Sequence, residues 1–291
     1  MKNVALGLIL ATRPYQWIKN LFIFLPLVFS KQLFVPQAVI GTSAMFILFC
    51  LAASAVYLIN DIADLEDDQV HEIKKHRPLA AGRISKRQTV VLALILLGIA
   101  LFFSFMLELE TGLIILSYLI LNLLYSKYLK HIVIIDVFCV GAFYYLRILA
   151  GSVTSGIALS EWIIFCTVLL ALFLAFNKRR YDLKYAKVLK GRIYRKYTPY
   201  FIDHMVSIIS ASVALTYALY VMDPKVVIKF GTHHLFYTIP FVYYGLFRYI
   251  YLVEQKGQGG DPTLILLKDR KLQLNLLLWT LACIGIIYFK I

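Results

Sequence analysis

The sequence predicts an all-α integral membrane protein with nine transmembrane helices, and three observations carry that prediction. Of its 291 residues, 61% are hydrophobic and the mean hydropathy is +0.77, against roughly 45–50% apolar residues in a soluble domain. The apolar residues gather into runs near the length, about 20 residues, that crosses a bilayer core. The basic residues gather into alternate gaps between those runs.

In chain order, Met1 to Thr12 is too short and too weakly flanked for a secretory signal and is expected as a juxtamembrane segment. Spans are then expected at 17–35, 38–60, 88–107, 111–128, 132–152, 160–178, 204–223, 233–253 and 272–289. The first is the least regular, because Pro26 and Lys31 lie within it. With the N-terminus in the cytoplasm, 24 of the 30 Lys and Arg fall on the inner side. Six of these lie in the 61–87 loop and nine from Lys178 to Lys196. The reverse orientation would invert this asymmetry against the positive-inside rule. Gly257-Gln258-Gly259-Gly260 reads as a loop, and no repeat or Pro/Ser-rich linker divides the chain. Residues 1–291 are therefore expected to form one transmembrane domain.

A formal charge of +14 raises nucleic acid as a partner, but basic loops of a membrane protein first set orientation and contact anionic lipid headgroups. No nucleic-acid role is expected. The cysteines Cys50, Cys139, Cys166 and Cys283 sit in apolar stretches without C-x-x-C spacing, which argues for buried small hydrophobes. His233 and His234 are expected on the outer side, away from any chemistry.

The second span runs into Asn60-Asp61-Ile62-Ala63-Asp64-Leu65-Glu66-Asp67-Asp68. On a helix this spacing sets Asp61, Asp64 and Asp68 along one face, about a turn apart. Stacked carboxylates repel one another, and a divalent cation reverses the sign of that energy. Hard oxygen ligands with space for diphosphate oxygens opposite describe a Mg²⁺ site that a substrate completes. Glu66 and Asp67 point elsewhere and are expected to be solvated.

At these residues the sequence resembles the UbiA prenyltransferase superfamily, through its N-D-x-x-D-x-x-x-D signature and the following Lys74-Lys75-His76-Arg77-Pro78-Leu79-Ala80-Ala81-Gly82. The resemblance implies a nine-helix bundle around a cavity open sideways to lipid. Members that prenylate aromatic rings generally carry a second aspartate-rich motif after the sixth span. Here that stretch is Asn177-Lys178-Arg179-Arg180-Tyr181-Asp182, one carboxylate among cations. Cations bind phosphate oxygens directly, without metal. This stretch, Arg13-Pro14-Tyr15-Gln16-Trp17-Ile18-Lys19-Asn20, and Asp261-Pro262 with Lys268-Asp269-Arg270-Lys271-Leu272-Gln273 resemble the decaprenyl-phosphate phosphoribosyltransferase branch. That resemblance implies two substrates, 5-phosphoribosyl-1-diphosphate and a polyprenyl phosphate, at a cytoplasmic-side, Mg²⁺-dependent site in a bacterial-type cell membrane.

The residues expected to act follow from both readings. Asp61, Asp64 and Asp68 are the metal-diphosphate ligands, with Asn60 completing or orienting that shell. Lys75 and Arg77 could reach donor phosphates, and Lys178, Arg179 and Tyr181 bind phosphate. Lys19 is either a phosphate ligand or a snorkelling cation. Tyr125 and Lys127, at the end of the fourth span, belong to a stretch that resembles the cavity mouth, although an interfacial tyrosine explains Tyr125 equally well. Asp136 and Arg147 are charges within the fifth span, where charge is costly and usually faces a cavity or a partner. Asp136 is expected near the mouth, either binding substrate or serving a structural partner, and Arg147 in a structural pair. Two alternatives stay open: prenyl transfer to an aromatic acceptor, and transport of an anionic lipid. The second would be favoured by broken midplane helices or inverted repeats, which the sequence lacks.

Overall fold

A computed structural model describes residues 4–71, 74–185 and 197–290; among these there are helices and loops and no strand. The cations from Lys187 to Lys196, expected to serve orientation and lipid contact, lie outside the described residues. The chain opens with α1 (Val4–Ala11), an 11-residue 3₁₀ segment (Pro14–Phe24) and α2 (Leu25–Phe29). Then come α3 (Pro36–Ala63), α4 (Leu65–Val70), α5 (Lys86–Leu107), α6 (Leu109–Lys127) and α7 (Ile135–Ser155). α8 (Glu161–Tyr185), α9 (Pro199–Met222), α10 (Pro224–Phe230), α11 (Ile239–Glu254), α12 (Pro262–Lys268) and α13 (Arg270–Ile284) complete it, and a π-helical turn (Gly285–Phe289) extends α13.

Seven of these helices are long and apolar enough to cross a membrane: α3, α5, α6, α7, α8, α9 and α13 with its extension. The expected first and eighth spans have another form, for one local reason. Pro26 has no N–H to donate to the carbonyl of Phe22, and the N–H of Leu25 takes that carbonyl instead, an i→i+3 bond. Pro240 acts alike: the N–H of Ile239 bonds Phe236, closing a 3₁₀ turn (His234–Thr238) before α11 begins. Hydropathy cannot register such a change of helix type.

The chain forms two compact units. The first holds residues up to Leu27, Val35–Lys127 and Leu146–Ile157; the second holds Val28–Phe34, Tyr128–Tyr145 and the chain from Ala158 onward. In the first, α3 packs against α5, α6 and the 3₁₀ segment. The last part of α7 presses directly on that segment, where a Cβ on Gly151 would fall 1.9 Å from the carbonyl oxygen of Ile23. In the second, α8 packs on α9, and α11 on α8, α9 and α13. Cys50, Cys139 and Cys283 are buried and all four cysteines are free thiols.

Candidate active site

The acidic stretch lies at the C-terminal end of α3, in the first unit. The helix breaks at Asp64, whose φ of −96° and ψ of 11° end α3, but i→i+4 bonds continue through it: Asp64 N–H to Asn60 at 2.9 Å and Asp68 N–H to Asp64 at 2.8 Å. The single straight acidic face expected from spacing is therefore bent at its middle carboxylate. Asp61 and Asp68 are 3% and 1% exposed, Asp64 is half-buried, and Glu66 and Asp67 are exposed.

Two buried carboxylates need cations, and the following loop supplies them. Arg77 Nη1 donates to Asp61 Oδ1 at 3.1 Å and also to Asp68 Oδ2, so both carboxylates reach one nitrogen. Lys74 Nζ stands 3.6 Å from Asp68 Oδ1, whereas Lys75 is exposed. The loop is fixed by the turn Arg77–Arg83, with N–H bonds from Ala81 to Arg77 at 2.8 Å and from Arg83 to Pro78 at 2.9 Å. Gly82 supplies the positive φ (66°) that such a turn needs. Leu79 and Ile84 anchor it in a buried cluster with Ala11, Leu58 and Ala93. Ser85 then starts α5 with a capping box to Gln88.

A third cation reaches the cluster from far away in sequence, and no local pattern signals it. Arg13 Nη2 donates to Asp61 Oδ1, and its guanidinium lies 4.9 Å over the ring of Tyr57. Arg13 has left-handed backbone (φ 54°), a conformation that costs a non-glycine residue about 1–3 kcal/mol and survives only when its surroundings over-determine it. They do. Ser54 Oγ donates to the carbonyl of Thr12 at 3.0 Å and accepts from Trp17 Nε1 at 3.0 Å, pinning the chain on both sides of Arg13. Ser126 is a second residue that sequence reasoning misses: its hydroxyl donates to Asn60 Oδ1 at 2.8 Å. Tyr125 is half-buried beside it and Lys127 exposed, while Lys19 is half-buried within the 3₁₀ segment.

Among the described residues no three His, Cys, Asp or Glu side chains form a ready metal cage. The donor set still fits Mg²⁺, which is commonly held by one or two carboxylates plus substrate phosphates. Asp61 and Asp68 already converge on one positive atom, and Asp68 Oδ1 is buried without a hydrogen-bond partner. Deeper in this unit, Arg147 is 4% exposed: its Nε donates to Asn20 Oδ1 at 2.7 Å and its guanidinium lies 5.3 Å from the rings of both Phe49 and Tyr118. This is the structural role expected of it.

The basic stretch belongs to the second unit. Arg179 Nε donates to Asp136 Oδ2 at 2.8 Å, and Tyr197 donates to Asp136 Oδ1 at 2.8 Å. Asp136 is fully buried, and both of its carboxylate oxygens are bonded, one to Arg179 and one to Tyr197. Burial and the hydrogen bond to Asp136 push the Tyr197 hydroxyl up to about 12, although its bond from the Ile134 N–H works the other way. Arg180 is drawn to Asp203 and Glu254. Lys178 is exposed; Tyr181 packs against Gly259 and Gly260, where added Cβ atoms would lie 2.5 and 3.1 Å from it. The stretch Asp261–Gln273 is a pair of helix starts: Asp261 caps α12 at the Thr263 N–H (2.9 Å), and Asp269 caps α13 at Leu272 (2.8 Å) while Arg248 grips it with two bonds.

Comparison with known proteins agrees with this layout. Residues 20–268 match the family model described as the UbiA prenyltransferase family. A relative from Corynebacterium glutamicum named decaprenyl-phosphate phosphoribosyltransferase is 32% identical over 99% of this chain and 88% of its own. One of the same name from Mycolicibacterium smegmatis is 30% identical over 99% and 95%. Among solved structures, a UbiA homologue from Archaeoglobus fulgidus bound to GPP and Mg²⁺ superposes with a TM-score of 0.70 at 18% identity, covering 97% of this chain and 99% of that one. With its apolar helices, its acidic stretch at the end of α3 and this match along most of its length, the chain belongs to the UbiA prenyltransferase family.

Proposed function

We propose that the protein transfers 5-phosphoribose from 5-phosphoribosyl-1-diphosphate to a polyprenyl phosphate of decaprenyl type, releasing diphosphate. The observation that carries this reading is identity of about 30% along 97–99% of the chain to relatives that all bear the name of that activity. The basic character of Lys178-Arg179-Arg180 supports it over transfer of a prenyl group to an aromatic acceptor.

In this reading Asp61, Asp64 and Asp68 would hold Mg²⁺ against the donor diphosphate, and Asn60, oriented by Ser126, completes that shell. The ion, when bound, draws charge from the leaving diphosphate. Arg77, Lys75 and Lys74 meet donor phosphate oxygens. Lys178, Arg179 and Tyr181 bind phosphate, with Arg179 aimed by Asp136, and Lys19, Tyr125 and Lys127 add polar contacts. The acceptor phosphate is an anion at pH 7 and needs no general base; the protein's task is to position it. Displacement at ribose C1 is then in line and inverts the anomeric centre.

The chain is one UbiA-type domain with nine crossings, the two proline-broken segments making the first and eighth. Its N-terminus and site face the cytoplasm of a bacterial-type cell membrane, as the basic loops favour. The test is an assay of purified protein with Mg²⁺, radiolabelled 5-phosphoribosyl-1-diphosphate and polyprenyl phosphates of several lengths, beside Asp64→Ala. Label entering lipid with wild type alone supports the reading. Absence of transfer, with turnover of a prenyl diphosphate and an aromatic acid, replaces it by prenyl transfer.

A further inference from the structure

Asp61 Oδ1 accepts from two arginines, Arg13 and Arg77, and Asp68 binds Arg77 and faces Lys74. Two carboxylates therefore touch three cations. A divalent ion at Asp61 Oδ1 competes for the same lone pairs, so it must displace at least one guanidinium. A polyanion arriving together with the ion removes this obstacle, because it gives the displaced guanidinium oxygens to bind.

Arg13 is the guanidinium suited to that exchange. It engages Asp61 alone, whereas Arg77 bridges two carboxylates. Its backbone is tied to α3 through Thr12, Trp17 and Ser54, so its head group can move while its root stays beside Asp61. Its perch over Tyr57 offers a second resting place for a planar cation.

We propose that Arg13 is a diphosphate-binding residue that exchanges Asp61 for the donor's phosphate oxygens as the divalent ion binds, and that this exchange makes ion and diphosphate bind cooperatively. The proposal rests on the metal-diphosphate role given above to Asp61 and Asp68, and not on the identity of the acceptor. It adds Arg13 to the donor site and gives the pair of ligands an order of dependence: each binds weakly alone.

The test uses the full-length protein in detergent, with Mn²⁺ as the probe, read by electron paramagnetic resonance, with and without inorganic diphosphate. In wild type, diphosphate should tighten Mn²⁺ binding by about tenfold or more, within the usual range of coupling between sites. In Arg13→Gln, Mn²⁺ alone should bind several-fold more tightly, about fivefold, because a competing cation is gone, and the diphosphate effect should shrink by a similar factor. Arg13→Lys, which keeps the charge without the fork, should fall between them; circular dichroism checks that each variant is folded. Equal Mn²⁺ affinity and equal coupling in wild type and Arg13→Gln overturn the exchange while leaving the metal site standing. Absence of bound Mn²⁺ in every protein, even with diphosphate, overturns the metal site and the exchange with it.

Discussion

The two charged regions are built with opposite polarity. In the first unit the carboxylates stand at the end of a long apolar helix and on the short helix after it, and the cations arrive from flanking segments, Arg13 from one side in sequence and Lys74 and Arg77 from the other. In the second unit the cation Arg179 stands on the helix α8, and the buried carboxylate Asp136 and the hydroxyl of Tyr197 are brought to it. The acidic cluster shares its oxygens among several partners at its rim. In the basic one the fully buried carboxylate, Asp136, has both oxygens taken. An exchangeable set of partners suits a metal-dependent step, and a fixed one suits aiming a single phosphate-binding fork. The difference teaches that equal-looking charges can share their oxygens among several partners in one place and hold fixed ones in the other.

That contrast can be broken most sharply at Asp61. Asp61→Asn should lower kcat/KM for phosphoribosyl transfer by about 10²–10³, the scale of losing a principal electrostatic contact in a reacting site, a loss that outweighs the fall in Tm from depriving Arg13 and Arg77 of a charged partner. If Asp136 is scaffolding, Asp136→Asn should show the reverse balance. It leaves Arg179 beside a neutral group in a buried place, which costs about 3 kcal/mol, so a clear fall in Tm should accompany a smaller fall in activity. Activity lost without any change in Tm would instead make Asp136 a substrate ligand. Ser126→Ala removes one hydrogen bond to Asn60 and should cost about 1 kcal/mol, a several-fold rise in the Mg²⁺ concentration for half-maximal rate.

The smallest effect belongs to Asp269. Its two bonds from Arg248 hold its carboxyl below the usual Asp range, aided by the Leu272 N–H. A lowered folded-state pKa contributes stability above the ordinary value, about 3.9, and that contribution fades as pH falls through the lowered one. Asp269→Asn should therefore lower Tm slightly at pH 7, by an amount reduced by solvent screening, and the difference should shrink as pH falls below the ordinary Asp range.

Much of the first region is legible in the amino-acid order alone. Asp61 and Asp68 declare themselves through spacing, because a helical period needs only local sequence, and the exposure of Glu66 and Asp67 follows from the same period. Arg13 does not, for it meets Asp61 across 48 residues, and no local pattern says which cation of a basic stretch turns inward. Ser126 is hidden between Tyr125 and Lys127, two residues with louder chemistry. The pairing of Asp136 with Arg179 spans 43 residues and that with Tyr197 spans 61, so a charge within an apolar span announces a partner without naming it. Seven long helices are visible as hydropathy; the 3₁₀ segments are not, since proline changes the hydrogen-bond step and leaves composition alone.

The segment Pro14–Phe29 has a geometric consequence of its own. A 3₁₀ helix climbs about 2.0 Å per residue against about 1.5 Å for an α-helix. Eleven residues of the first and five of the second, laid end to end, therefore reach about 30 Å, the full depth of the hydrocarbon layer, where sixteen α-helical residues would stop near 24 Å. On the proposed nine-crossing reading, this ladder would let a short segment span what an α-helix of the same length could not.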